Sequence, residues 1–284
     1  MNHFFFYKFI VLGISIIIIF YSTKGIAVYP VYVLFLYLIG PYFDDAMQLR
    51  NTIALSFLYL SYKNLVIKKY KWMWVSLIFA TLVHYLFAVF FIVFSLLRYG
   101  NKKIINMVFL FGIGAYVFIF FTHNFSFYTQ IQNVIQLQKF SETVESSTNM
   151  GSLIALLFYI QLYLLTYFSD KMIQKVDSAV IVKTKYISGL IFDFVKLSSI
   201  FLPLCVITLS AMRFHRDIII LVLIEVLLLL SVQVINMRYR RCVVLGAFGS
   251  MCYFMYISNF FMGPPEDIIY SVLYGDPSWV LDLI

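Results

Sequence analysis

Charge is what this chain has least of. Asp, Glu, Lys and Arg make up 12% of its 284 residues, 63% are hydrophobic, and the mean hydropathy is +0.93. A soluble domain is about a quarter charged and about half apolar, so a water-soluble enzyme is excluded. No polar stretch approaches the roughly 50 residues that a separate soluble domain needs. Cysteine is scarce too. Cys205, Cys242 and Cys252 lie in apolar runs without paired spacing, which argues against a disulfide or a zinc site and reads as three small buried hydrophobes. A glycine-rich nucleotide loop, a cluster of metal ligands and a Ser–His–Asp order are all missing, so neither a metal nor another cofactor is expected. The net charge of +8 does not point to nucleic acid, because the basic residues fall in short clusters between apolar runs and report orientation instead.

What is present is a succession of apolar runs. Those at 4–21, 26–40, 46–62, 104–121, 152–168, 186–210, 218–235 and 242–262 approach or reach the ~20 residues that cross a bilayer as a helix. The expected fold is all-α: a polytopic integral membrane protein with about eight transmembrane helices, forming one membrane domain over 1–284. The first run lacks a small-residue cleavage site and reads as a retained helix. Loops with Lys63, Lys68, Lys69 and Lys71, with Arg98, Lys102 and Lys103, with Lys171, Lys175, Lys183 and Lys185, and with Arg238, Arg240 and Arg241 are basic. The polar loop 122–151 holds Lys139 against Glu142 and Glu145, and the tail 263–284 has four acids and no base. The positive-inside rule puts the basic loops in the cytoplasm and the loop 122–151 and the tail outside.

The run 72–97 has basic residues on both flanks. A single crossing would invert every later loop. A re-entrant hairpin, entering from the cytoplasm and turning back with His84 near its tip, keeps all loops consistent. The alternative is one long tilted helix that breaks the charge rule locally.

On the hairpin topology, polar residues distant in sequence come to one level near the outer surface. Arg50 follows Asp44 and Asp45 and precedes Asn51 and Thr52. It is either an interfacial arginine snorkelling to head groups or a planar fork suited to phosphate, with the acids orienting it. His84 is a packing residue or a general base, since imidazole titrates near neutrality. Arg213 and Arg216, at i and i+3, share a face if the stretch is helical. They are head-group anchors or, together with Arg50, a site better matched to a diphosphate than to one phosphate. His215 and Asp217 share that tight loop. Asp193 and Lys196, also i and i+3, are expected to neutralise each other. Glu225 stands alone in its run and is assigned no function. Residues 129–139 suit a short amphipathic helix lying on the membrane.

These residues carry a resemblance. The third run reads Asp44-Asp45-Ala46-Met47-Gln48-Leu49-Arg50-Asn51-Thr52-Ile53-Ala54, then a lysine-rich turn, an apolar arm, His84, a second apolar arm and a basic turn. Further on, Arg213-Phe214 opens a helix after the stretch containing Pro203. This order resembles the EpsG-like branch of bacterial polysaccharide polymerases, which are similar in role to Wzy O-antigen polymerases. It departs from that pattern in having Tyr85-Leu86 after the histidine. The resemblance implies a metal-independent polymerase of the bacterial cytoplasmic (inner) membrane. Such an enzyme transfers an undecaprenyl-diphosphate-linked oligosaccharide, of O-antigen, capsule or exopolysaccharide type, to another lipid-linked repeat unit at the outer face. It implies His84 and Arg50 as catalytic residues, with Arg213, Arg216, Asp44, Asp45 and Asn51 on the substrate. Membrane lipids and a chain-length regulator protein are the implied partners. A lipid-linked oligosaccharide flippase and a glycan ligase are the competing readings.

Overall fold

A computed structural model of the chain describes residues 2–39, 48–122, 149–177, 181–207 and 211–262. Asp44, Asp45, the outer loop with Glu142 and Glu145, and the tail lie outside this set. Every regular element among the described residues is helical. In chain order they are α1 (Asn2–Lys24), α2 (Pro30–Ile39), α3 (Leu49–Val66), α4 (Tyr70–Val83), α5 (Phe90–Tyr99), α6 (Lys102–Thr122), α7 (Asn149–Lys175), α8 (Val182–Leu197), α9 (Leu202–Ile207), α10 (Met212–Arg216), α11 (Ile219–Ser231) and α12 (Met237–Met262). Two 3-10 turns, Tyr85–Val89 and Ser198–Phe201, interrupt them. Four helical stretches, Phe6–Lys24, Lys102–Phe121, Ser152–Lys175 and Val182–Val206, are long and apolar enough to cross a membrane. This is a multi-pass membrane protein.

Local chemistry sets the helix ends. Pro30 opens α2, where its missing N–H costs nothing. Asn101 Oδ1 accepts the Ile104 N–H at 2.9 Å and caps α6, and Asn236 Oδ1 accepts the Arg238 N–H at 3.0 Å at the start of α12. Lys68, at φ 59°, closes α3: its N–H bonds the Leu65 carbonyl and the Lys69 N–H bonds that of Asn64. This is the left-handed helix stop usually occupied by glycine. Pro203, in the first turn of α9, cannot continue an α-helical ladder and its ring crowds the carbonyl four residues back. The chain passes from α8 to α9 through the 3-10 turn there.

The basic loops gather at one end. Lys63 Nζ donates to the Tyr21 carbonyl at 3.0 Å, joining the last turns of α1 and α3. Lys68 lies over the Tyr186 ring at the start of α8. Gln174 Nε2 donates to the Lys185 carbonyl at 2.9 Å, and Arg240 Nη1 donates to the Leu230 carbonyl at 3.3 Å where α11 ends. The clusters Lys63–Lys71, Lys171–Lys185 and Arg238–Arg241 therefore meet at that end of the bundle.

The segment 72–97 is a hairpin. The Arg98 guanidinium sits 4.1 Å from the Tyr70 ring centroid, so α5 ends where α4 begins, and Trp74 stacks on Phe91 across the two arms at 5.7 Å. The arms have 14 and 10 helical residues. At 1.5 Å per residue they reach about 21 and about 15 Å, short of a ~30 Å hydrocarbon core. His84 forms the bend, in extended conformation at φ −143°, ψ 106°.

Ion pairing follows helix packing and departs from the sequence expectation. Asp193 does not pair with Lys196. It accepts from Lys102 Nζ at 2.6 Å, while Lys196 Nζ donates to Asn106 Oδ1 at 2.8 Å. Both partners come from α6, which packs along α8 and offers a donor and an acceptor one turn apart. Cys205 is buried as expected, but Cys242 is exposed.

Gly112 is where α6 comes closest to the Ser198–Phe201 turn. A Cβ there would meet the Ser199 carbonyl carbon and oxygen at 2.6 Å, and that backbone has no rotamer by which to yield. Small residues at such crossings let helices in membranes approach. Gly112→Val is expected to destabilise the protein by about 1–3 kcal/mol through overpacking, read as a lower thermal midpoint in detergent. Gly114→Ala, whose Cβ meets nothing within 4 Å, should leave the midpoint unchanged or raise it.

Candidate functional site

The end of the bundle opposite the basic loops brings together polar residues of α3, the hairpin and the stretch after α9. α3 and α4 run antiparallel in a register fixed by three contacts. Ser61 Oγ donates to the Met73 carbonyl at 2.9 Å, Asn64 Nδ2 donates to Ser76 Oγ at 3.3 Å, and Phe57 stacks on Phe79 at 5.6 Å. Equal steps outward from Phe57 and Phe79, about 7.5 Å along each helix, lead to Thr52 on one side and His84 on the other. The hairpin tip thus lies level with the first turn of α3, which carries Arg50 and Asn51.

That turn also meets the stretch after α9. Asn51 Nδ2 lies 3.5 Å from Asp217 Oδ1, and Tyr59 donates its hydroxyl to the Asp217 main-chain carbonyl at 2.5 Å. The contacts bridge 166 and 158 positions of sequence. Asn51, Tyr59, His215, Arg216 and Asp217 are all buried, Arg216 at 4% exposure and Asp217 at 1%. An arginine that closed to solvent is not a snorkelling anchor, since the anchoring role needs its head in water. Arg213 falls in the helical turn α10, three positions before Arg216; its side chain lies outside the described set. Arg50 is exposed in the first turn of α3.

His84 is half-buried, its ring stacked on Tyr85 at 5.7 Å and edge-on to Phe87 at 5.8 Å. From Phe87 a chain of rings continues to Phe90 at 5.5 Å and from Phe90 to Phe214 at 6.1 Å. The hairpin is packed in this way against the residue between Arg213 and His215. The structure therefore brings Asn51, Arg216 and Asp217 into one buried cluster. Arg50 lies at its rim, and His84 is at the same depth on the neighbouring hairpin.

Tyr59 escaped the sequence reading, and Asp217 entered it as a member of the tight loop without a role. A tyrosine nearly three turns inside an apolar helix carries no signal of its own. Asp217 was visible only as the last residue of a charged turn, although its acidity beside two arginines was available as a hint. His215 is fully buried, 3.8 Å from Cys205 Sγ and edge-on to Tyr159 at 5.2 Å.

A second polar cluster lies towards the basic end, between α7, α8 and α11. Glu225, fully buried in α11, receives a hydrogen bond from Ser188 Oγ at 2.5 Å, and that hydroxyl is also 2.9 Å from Asp170 Oδ1. The lone acid of the sequence is thus tied to α7 and α8. Among the described residues, no group of three or more His, Cys, Asp or Glu is placed to hold a metal ion.

No curated protein and no solved structure matches the chain. The sequence model of one family does, over residues 1–271, a span that takes in the α3 turn, the hairpin and the Arg213–Asp217 stretch alike. The chain belongs to the EpsG family, a family of membrane proteins linked to exopolysaccharide biosynthesis.

Proposed function

We propose that this protein polymerises undecaprenyl-diphosphate-linked oligosaccharide repeat units at the outer face of the bacterial cytoplasmic membrane. In this reading the chain makes about eight crossings, with α1, α6, α7 and α8 with α9 among them, and α4 and α5 form a re-entrant hairpin. The observation that carries it is the closed cluster of Arg216, Asp217 and Asn51 at the end away from the basic loops, with His84 at its depth. An ionisable group held inside the membrane is a functional site by default.

The chemistry is a displacement at the anomeric carbon. The acceptor hydroxyl oxygen forms the new glycosidic bond, the bond to the diphosphate oxygen breaks, and the lipid diphosphate leaves with the electron pair. His84 takes the hydroxyl proton. Arg50, Arg213 and Arg216 meet the negative charge that grows on the leaving diphosphate, and Asn51 with Asp217 holds the Arg216 turn in place. Asp44 and Asp45 orient Arg50 when no substrate is bound. The donor and acceptor are both membrane-anchored, which accounts for a site reached laterally from lipid. A chain-length regulator is the partner such a polymerase would need.

A flippase is the second reading, and one observation favours it: the Glu225–Ser188–Asp170 chain, buried at Glu225 and Ser188 and reaching the half-buried Asp170, resembles the polar relays of transporters. A deletion strain separates the two. Loss of the polymerase leaves single repeat units capped on the outer surface, and loss of a flippase leaves lipid-linked units on the cytoplasmic leaflet. Accumulation on the cytoplasmic side would overturn the polymerase. A ligase shares the chemistry but would leave full-length polymer unattached to its final acceptor.

A further inference from the structure

A large open groove lies far from this cluster, on the flank formed by α7 and α12. Two adjoining cavities of about 810 and about 590 Å³ share Phe168, Met172 and Tyr239 and form one groove. The inner part is apolar, walled by Leu165, Val243 and Gly246 among others, and reaches Gln161. The outer part opens at the basic end between Lys171 and Lys175, with Asp177 beside them.

Two glycines of α12 shape it. At Gly246 a Cβ would sit 3.1 Å from Leu165 Cδ2, so the two helices touch there. At Gly249 a Cβ would meet nothing within 4 Å, so the furrow is open. From Lys171 to Gln161 is ten residues of continuous helix, about 15 Å, which is half of a ~30 Å hydrocarbon core. The groove is therefore one leaflet deep and apolar along its length, and two cations face one acid at its mouth. Lys171 is propped there by Tyr167, whose hydroxyl it reaches at 3.3 Å.

We infer that this groove is a binding site for an anionic phospholipid of the leaflet at the basic end, one acyl chain lying along α7 and α12 and the phosphate held by Lys171 and Lys175. The length of the groove fits a chain anchored at the surface and ending at the bilayer midplane. The pair of lysines selects an anionic head group over a zwitterionic one. The inference does not depend on the polymerase reading, because the residues it uses lie at the opposite end of the bundle.

Cys242 lines the groove, is exposed and is free, so it reports occupancy directly. The full-length protein is placed in nanodiscs of phosphatidylcholine with and without phosphatidylglycerol. The rate of maleimide addition is then read on the Cys242 peptide by mass spectrometry, and bound lipid is read by native mass spectrometry. Phosphatidylglycerol is expected to slow the addition and to remain bound. Lys171→Gln with Lys175→Gln should weaken its binding roughly 30-fold, at the usual strength of one surface lysine for anionic lipid. Gly249→Leu should fill the furrow, shield Cys242 in both lipids and exclude the bound lipid. Equal rates with and without phosphatidylglycerol would overturn the site, as would retention of the lipid by Gly249→Leu or by the double glutamine variant. Shielding that depends on protein concentration would assign the groove to a second copy of the chain, and shielding lost on removing residues 263–284 would assign it to the tail. Either result refutes the lipid.

Discussion

Cells carrying Arg216→Ala in place of the native residue are expected to lose long surface polysaccharide, with the polymerisation rate down by 10²–10³, the usual cost of losing one fixed donor to a developing anion. The size of the effect follows from burial. At 4% exposure, the guanidinium is out of reach of bulk water, and a charge in such a place acts at low effective dielectric. The same burial means that truncation also perturbs the fold, so the informative comparison is Arg216→Lys. Lysine keeps the charge and most of the stem but gives up the planar fork. A Lys variant with a native thermal midpoint and a collapsed ladder on gels of surface polysaccharide separates phosphate recognition from packing. Arg50→Lys should behave likewise and with less structural cost, since Arg50 is exposed. A full ladder from stably expressed Arg216→Lys and Arg216→Ala would remove the residue from the mechanism.

The second large effect is expected at His84. Removing a general base typically costs 10²–10⁴ in rate, and here little stability should be lost with it. His84 is half-buried at a bend whose neighbours, Tyr85 and Leu82, are exposed at 64% and 76%. His84→Ala should therefore accumulate to native levels while leaving single repeat units on the cell surface. His84→Gln tests the same point with a side chain that can hydrogen-bond but cannot take up the proton. Normal chain lengths from either variant would reduce His84 to a ring that packs on Phe87.

Much of this architecture could be read from the chain itself, because membrane insertion leaves coarse traces. The hairpin followed from basic residues on both flanks of a run too short for two crossings, and Arg98 resting on Tyr70 is the same fact seen in space. The gathering of Arg50, His84 and the Arg213–Asp217 turn at one depth followed from the alternation of basic and acidic loops. What could not be read is which face of a helix meets which neighbour. Asp193 takes Lys102 and not Lys196 because α6 lies along α8, and nothing within one apolar run announces the next helix beside it. Asn51 finds Asp217, and Tyr59 the adjoining carbonyl, across more than half the chain, contacts that only packing creates. Cys242 looked interior because the residues around it are apolar, yet in a bilayer an apolar surface also faces outward. Hydropathy alone does not tell the two apart.

If α4 and α5 form the re-entrant pair proposed above, the bend at His84 bears on how the rest of the chain is oriented. A segment that leaves and returns through the same surface contributes an even number of traverses, so it is parity-neutral. The helices from α6 onward keep their handedness relative to the two sides whether this insert is long, short or gone. Selection can thus lengthen, trim or reshape the pair of legs bearing the imidazole while the remaining two-thirds of the protein stays right side up.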